Sequence, residues 1–432
     1  MSDKNNLPRI LQQLIASAER QNSPALNELM AELEARASTM SPEERKIYDE
    51  LCAEVTEILG RQGYSTEAKS AEDRATEARI AKLPVCPIPT QMFKDLSRFV
   101  KGQDFAKRVV SVGVYQHYQR LRHGIGGKTN ILVTGPTGCG KTEIARTLGK
   151  ILEVDVTIVD ATNLTAHGYV GKDVDSILMT HLAACNFDRE RAERGIIFID
   201  EIDKKAAKKS STNGPDVGGE SVQQALLKII EGTRAEFSDG QPGMGKKNYE
   251  LDTSNILFIV GGAFVGLEKK IAERLNRHTG GNFGMAQAAS GSQHVEASFD
   301  LLPKVMPEDL NGFGIIPELV GRLPVLAALH PLTEQHMLEI MKETDPSTNI
   351  LTEYENVFKS FGVKLDWQED ALKHVAEYVV NEAKIGARGL RNAVSHILVD
   401  KGFELPGSGE TSFEVTKEFA AEMLPLTYNL NK

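Results

Sequence analysis

Cysteine is scarce and scattered. The chain of 432 residues has four, Cys52, Cys86, Cys139 and Cys185, and no two form a C-x-x-C pair. That spacing indicates neither a disulfide framework nor a zinc site. Long apolar runs are missing too. Nothing approaches the roughly 20 residues a membrane helix needs, so no membrane partner is expected. The opening residues, MSDKNNLPRILQQL, lack a signal peptide's apolar core and small-residue cleavage site, and a cytoplasmic protein is the expectation. Positive charge is in deficit. A net charge of -10 argues against a protein that coats duplex DNA with a basic face, although it leaves room for a basic channel inside an assembly. What remains is an ordinary globular composition, 41% hydrophobic and 25% charged, long enough for two or three domains.

The most informative stretch is KTNILVTGPTGCGKT, residues 128–142. It reads as a buried strand (130–134), a glycine-rich turn and a helix start. Gly135, Gly140, Lys141 and Thr142 satisfy G-x-x-x-x-G-K-[ST], the phosphate-binding loop, and strand before with helix after is the context that supports the match. Glycines let consecutive backbone N–H groups face a polyphosphate together with the positive end of the helix. Lys141 offers a charge to the β- and γ-phosphates, and Thr142 a hydroxyl to Mg²⁺. ATP and Mg²⁺ are therefore the expected cofactors. Cys139 lies inside this loop and reads as a tolerated small residue, not a nucleophile.

Residues 1–60 read as a helical module. Leu7, Ile10, Leu11, Leu14 and Ile15 fall at helical spacing, as do Leu26, Leu29, Met30 and Leu33. A third helix opens on Ser41-Pro42-Glu43-Glu44, an N-cap, a first-turn proline and a capping-box glutamate. The module is either a structural appendage or a dock for substrates or adaptors. Residues 61–90, ending in the Pro-rich LPVCPIPT, read as a linker. From 91 to 121 the pattern is helical again. Strands at 154–159, 195–200 and 255–260 then alternate with helices at 174–185 and 220–231. The alternation predicts an α/β domain over 91–330, a parallel sheet with helices on both faces. Two long polar loops, 204–219 and 279–294, interrupt it. Residues 331–432 predict a smaller α+β domain, with helices at 334–342, 369–381 and 387–400 and strands at 363–367 and 412–415.

The strand GIIFIDE delivers Asp200 and Glu201 to its carboxyl end, where α/β sheets bind ligands. Asp200 is suited to the metal and Glu201 to polarising an attacking water. Arg322, in PELVGR, and Arg388, in GARGLR, are candidates for stabilising a γ-phosphate, although each read alone is more often a surface ion pair. Tyr169 and Val170 sit in a glycine-flanked loop, AHGYVG, which could grip an extended chain or simply pack on the domain.

Together the phosphate loop, IIFIDEIDK, GYVG, ESVQQALLKIIEGT, ILFIVGGAF, IPELVGRLP and KIGARGLR resemble the ClpX family of AAA+ protein unfoldases, across roughly residues 91–424. HslU and Lon share only parts of this set. The resemblance implies a homohexameric ring that threads protein substrates through a central pore, usually into the ClpP peptidase. It places ATP on Gly135, Pro136, Thr137, Gly138, Cys139, Gly140, Lys141 and Thr142. It makes Asp200 and Glu201 the metal and catalytic acids, Arg322 a finger offered to the next subunit, and Arg388 a sensor from the small domain. Val100 falls where the family contacts adenine, with Lys101 next to it in place of an aliphatic residue. Tyr169 and Val170 become the first pore loop.

The departures are equally specific. The family's N-terminal zinc module is absent. The second pore loop, 210–219, lacks its arginine, and the basic loop at the pore entrance should fall at 238–248 and is missing. The peptidase-docking Ile-Gly-Phe stands as Gly281-Asn282-Phe283. Phe283 is retained, but each lost isoleucine contact forfeits on the order of 1.5–3 kcal/mol, repeated round a ring. Partnership with a ClpP-type peptidase is thus left open. The rival expectation is a nucleic-acid motor on the same AAA+ core, disfavoured by the acidic balance and the Tyr169 loop.

Overall fold

The computed structural model describes residues 80, 83–164, 170–207, 217–238, 247–278, 301–343, 349–383 and 385–426. The expected helical module of 1–60, Tyr169 and Gly281-Asn282-Phe283 lie outside them, as do most of the two expected long loops.

The helical pattern of 91–121 is two helices, α1 (Pro89–Phe99) and α2 (Asp104–His123). They part at Gly102 and Gln103, both at φ 62, a left-handed pair that no helix continues through. Five parallel strands follow: β1 (Ile131–Thr134), β2 (Val156–Asp160), β3 (Ile196–Asp200), β6 (Leu257–Gly262) and β7 (Val325–Ala328). Their order across the sheet is β2-β3-β6-β1-β7. β7 was not expected from the sequence. Its VLAA is short and half alanine, a weak strand former by itself, and it is held by pairing along β1, Ile131 opposite Val325 through Thr134 opposite Ala328.

Strand alternation divides the core. Ile196 and Phe198 of β3 face one side with Ile131, Val133 and Ile259, where α1, α2 and α3 (Lys141–Leu152) bury Met92, Leu96, Val110, Val114, Ile144 and Leu148. Ile197 and Ile199 face the other with Leu132, Phe258 and Val260. There α4 (Val170–Ala184), α5 (Val217–Glu231) and α6 (Leu267–His278) bury Leu178, Leu226, Ile229 and Ile271. Strands covered on both faces explain the near-continuous apolar runs of ILVT and IIFI.

A hairpin was also missed. β4 (Arg234–Ser238) and β5 (Asn248–Asp252) pair antiparallel, with Ser238 opposite Asn248, so the two ends of the expected 238–248 loop are paired strand residues, while 239–246 lie outside the described residues. α5 begins at Val217 instead of 220, running through Gly218 and Gly219. Two short helices, α7 (Pro307–Phe313) and α8 (Pro317–Gly321), precede β7.

The C-terminal domain has its own core around Met337, Phe358, Leu365, Val375, Leu390, Val394 and Ile397. Helices α9 (Glu334–Met341), α10 (Ile350–Ser360), α11 (Glu369–Tyr378), α12 (Arg388–Glu404) and α13 (Lys417–Met423) pack on one another, and α10 also against a parallel pair, β8 (Lys364–Trp367) and β9 (Ser412–Val415). α10 and α13 are additions to the sequence reading. α11 runs on into a π-helical turn, Val379–Ala383, just before the turn that carries Arg388.

Candidate active site

β1 ends at Thr134, and at the next residue, Gly135, an added Cβ would stand 2.7 Å from the Leu329 carbonyl oxygen, so only glycine lets the chain leave the sheet here. Gly138 at φ 73 and Gly140 at φ 105 complete the turn. Gly140 is the N-cap of α3, which directs its unpaired N–H groups and dipole at the loop. Lys141, only 8% exposed, donates from Nζ to the carbonyls of Gly135 (2.7 Å) and Pro136 (2.9 Å). Its ammonium is thereby held over the turn it must serve. The thiol of Cys139 faces the core, and burial pushes its pKa up to about 11. A protonated, buried thiol has no nucleophilic role.

β6 separates β1 from β3, yet the start of α3 and the carboxyl end of β3 meet across it. Thr142 Oγ1 donates to Asp200 Oδ2 at 3.0 Å. Asp200 Oδ1 accepts the Glu201 N–H at 2.9 Å. Glu201 itself stands at φ 59, a left-handed conformation rare for a glutamate. Strain of that kind collects at functional sites. The hydroxyl and carboxylate oxygens of Thr142 and Asp200 form a hard-oxygen pair that fits Mg²⁺.

These groups open onto a cavity of about 590 Å³. Thr137, Gly138, Gly140, Lys141, Thr142, Asp200 and Glu201 line it together with Phe99, Val100, Lys101, Leu332, Ile340 and Glu343. Arg388 reaches the same cavity from the C-terminal domain. The size, and a lining that mixes backbone amides, charged groups and apolar side chains, suit a nucleotide. The C-terminal domain touches the phosphate loop through backbone groups. The Ala387 N–H donates to the Gly138 carbonyl at 3.0 Å, and an added Cβ on Gly386 would lie 2.7 Å from that carbonyl.

The expected site residues therefore fall into three groups. The phosphate loop, Asp200, Glu201, Val100 and Arg388 come together. Arg322 does not join them; its Nε donates to Glu231 Oε1 at 2.7 Å, outside the cavity. Val170 opens α4, while Tyr169 and Phe283 lie outside the described residues.

Sequence reasoning missed several partners. Gln103 is buried, and its amide exchanges both bonds with the His330 backbone, Nε2 to the carbonyl at 2.7 Å and the His330 N–H to Oε1 at 2.8 Å. Nε2 also donates to the Cys139 carbonyl at 3.2 Å. One side chain thus ties the phosphate loop to the exit from β7. The glycine–glutamine break in an otherwise helical pattern was the available signal. Lys101 pairs with Glu343 at 2.6 Å across the two domains, and Arg391 makes a two-pronged pair with Glu353 at 2.6 and 2.8 Å. No local pattern marks either pair.

Among known families, the AAA domain (Cdc48 subfamily) matches residues 127–326. The ATP-dependent Clp protease ATP-binding subunit ClpX of Bacteroides thetaiotaomicron is 42% identical over 381 residues, covering 86% of this chain and 90% of that protein. The proteins of the same name from Porphyromonas gingivalis and Treponema denticola are each 42% identical, over 80% and 74% of this chain and 85% and 78% of their own. A glycine loop, an acidic strand end and an arginine from a second domain, converging on one cavity in a chain this similar to those proteins, place it: the chain belongs to the ClpX family of AAA+ ATPases.

Proposed function

We propose that the chain works as an ATP-driven ring unfoldase, a homohexamer that draws protein substrates through its pore. The observation that carries this reading is the split between the two arginines. Arg388 lines its own chain's cavity, whereas Arg322 stands outside it. A finger that cannot serve its own site is suited to a neighbour's, which requires a ring or a filament.

In this reading Lys141 and the N–H groups of residues 135–142 bind the ATP phosphates, and Val100 packs on the base. Thr142 and Asp200 hold Mg²⁺, which when bound neutralises charge on the β- and γ-phosphate oxygens. Glu201 accepts a proton from the attacking water as its oxygen bonds to the γ-phosphorus and the β–γ bridge breaks. Arg388 contacts the nucleotide from the C-terminal domain, and Arg322 stabilises transition-state charge across the subunit boundary. Tyr169 and Val170 push on substrate. The working domain limits are 1–60, a linker at 61–90, an ATPase domain at 91–330 and a small domain at 331–432. No described helix is long and apolar enough to cross a membrane, and a cytoplasmic location accompanies the reading.

Two experiments test it. Glu201→Gln should bind ATP but lose about 100-fold or more in hydrolysis, and its rings should retain client proteins when ATP is present. Empty rings would overturn the unfoldase reading, and ATPase stimulated by DNA but not by unfolded protein would favour a nucleic-acid motor. Peptidase partnership is tested by ATP-dependent degradation of a labelled unfolded protein with added ClpP. If Phe283 suffices, the unaltered chain supports degradation. If only Gly281→Ile/Asn282→Gly does so, this chain is a remodelling chaperone released from the peptidase.

A further inference from the structure

Arg322 is the C-cap of α8, a helix of five residues. One turn and a half cannot hold its own position. Something else must aim the side chain, and two buried amides grip α8 at both ends.

Gln223 of α5 holds the entry. It is 0% exposed, its Oε1 accepts the Ile316 N–H at 2.8 Å, and its Nε2 donates to the carbonyls of Gly314 (3.1 Å) and Lys205 (2.7 Å). Lys205 ends the short 3₁₀ turn Ile202–Lys205 that directly follows Glu201. Asn130 holds the exit. It is 1% exposed, and its Nδ2 donates to the carbonyls of Arg322 (3.0 Å) and Ile230 (3.1 Å), while its Oδ1 accepts the Phe258 N–H at 3.3 Å. Asn130 leads into β1, whose far end is the phosphate loop. Ile230 precedes Glu231, the residue that holds the guanidinium. Each amide has both donor bonds and its acceptor committed, so neither can rotate without stranding a buried polar group.

We propose that Asn130 and Gln223 are positioning residues that aim Arg322 at the neighbouring subunit's nucleotide, Gln223 coupling the arginine's segment to the turn after Glu201 and Asn130 coupling it to the entry of β1, the strand that leads to the phosphate loop. The inference rests on the reading of Arg322 as a finger acting in trans. Neither amide touches nucleotide. A displacement at the Glu201 turn passes through the Lys205 carbonyl and Gln223 to the start of α8. A displacement of β1 passes through Asn130 to its end. The state of one site is thereby carried to the residue offered to the next.

The test is complementation in mixed rings. Asn130→Leu and Gln223→Met keep approximate volume and remove the amides. Homomeric rings of either should lose about tenfold or more of their ATPase activity, as expected when a finger is misaimed. Each is then mixed with Glu201→Gln subunits, which hydrolyse nothing but present an intact Arg322. Hydrolysis at the variant subunits should recover to within about twofold of wild-type subunits in the same mixture. A purely structural defect would not be rescued by a neighbour. Arg322→Ala runs in parallel. If it keeps its activity in homomeric rings, or is not rescued in mixed ones, the finger reading fails. If it is rescued and the amide variants are not, their own sites are damaged and the positioning role fails alone. Full activity of the amide variants in homomeric rings also overturns it. Should the Leu or Met forms not fold, Asn130→Asp and Gln223→Glu keep the shape, lose the donors and are judged by the same comparison.

Discussion

The surroundings of Lys128 constrain its chemistry strongly. It sits where the chain enters β1, donates from Nζ to the Thr253 carbonyl at 2.8 Å and lies over the Phe258 ring at 4.8 Å. Burial and then the Arg120 charge pull its pKa from 10.5 to about 7, against a smaller opposing pull from Asp252. Between those values the unfolded chain binds the extra proton, so stability rises with pH through that window. Below about pH 7 the charged, desolvated ammonium is a standing cost. Urea melts at pH 7 and pH 9 should show the unaltered protein gaining on the order of 1 kcal/mol or more relative to Lys128→Met. Equal pH dependence in the two proteins would contradict that assignment. The neighbouring His117 goes the same way, pushed down to about 3 by burial and by the charges of Arg120 and Lys128, and is a neutral ring at any working pH.

At the scale of elements, the phosphate loop and the turn that carries Arg388 form one unit. Gly138 and Gly386 meet backbone to backbone, each at positive φ. A Cβ on Gly138 would lie 2.3 Å from the Ile385 carbonyl oxygen and 2.9 Å from the Gly386 Cα. Gly138→Ala should therefore push the C-terminal turn off the loop. The left-handed backbone alone costs roughly 1–2 kcal/mol, so ADP binding should weaken about tenfold or more, with the far-UV spectrum unchanged. Calorimetric titration checks the first and circular dichroism the second. Preserved affinity would mean that the turn yields at no cost to the nucleotide. Gln103 belongs to the same unit. Its amide is the polar joint between loop and β7, placed by the left-handed pair that ends the helical run of α1.

Across the described residues the nucleotide cavity is a seam between the sheet, with a core on each face, and a C-terminal part with a core of its own. The Lys101–Glu343 pair bridges that seam, its side chains 16% and 13% exposed. A half-buried pair is worth more than a surface one and is costly to break from one side. Lys101→Glu should lower nucleotide affinity several-fold by loosening the C-terminal domain, and Lys101→Glu/Glu343→Lys should recover part of it. A charge swap without recovery would show that the pair is incidental to closure. Lys101 stood out in the sequence as a charge where the resemblance leads one to expect an aliphatic residue. Its partner, far along the chain, did not.

That contrast is general here. The glycine loop and the acidic end of IIFIDE are local patterns, each confined to a few consecutive residues whose types the chemistry dictates, and both were legible in the sequence; the arginine of GARGLR, which read alone is more often a surface ion pair, was assigned its role only by the family resemblance. So was the parallel sheet, because strands buried on both faces must be apolar throughout. β7 and the hairpin were not legible, because VLAA and RAEFS become strands only through partners elsewhere in the chain. The sequence alone also named both arginines, but it could not say that one lines its own cavity and the other is held away by Glu231. That assignment, and the buried amides of Gln103, Asn130 and Gln223, are long-range. A polar side chain inside a protein is placed by whichever backbone groups the fold leaves needing a partner, and only the tertiary structure decides which those are.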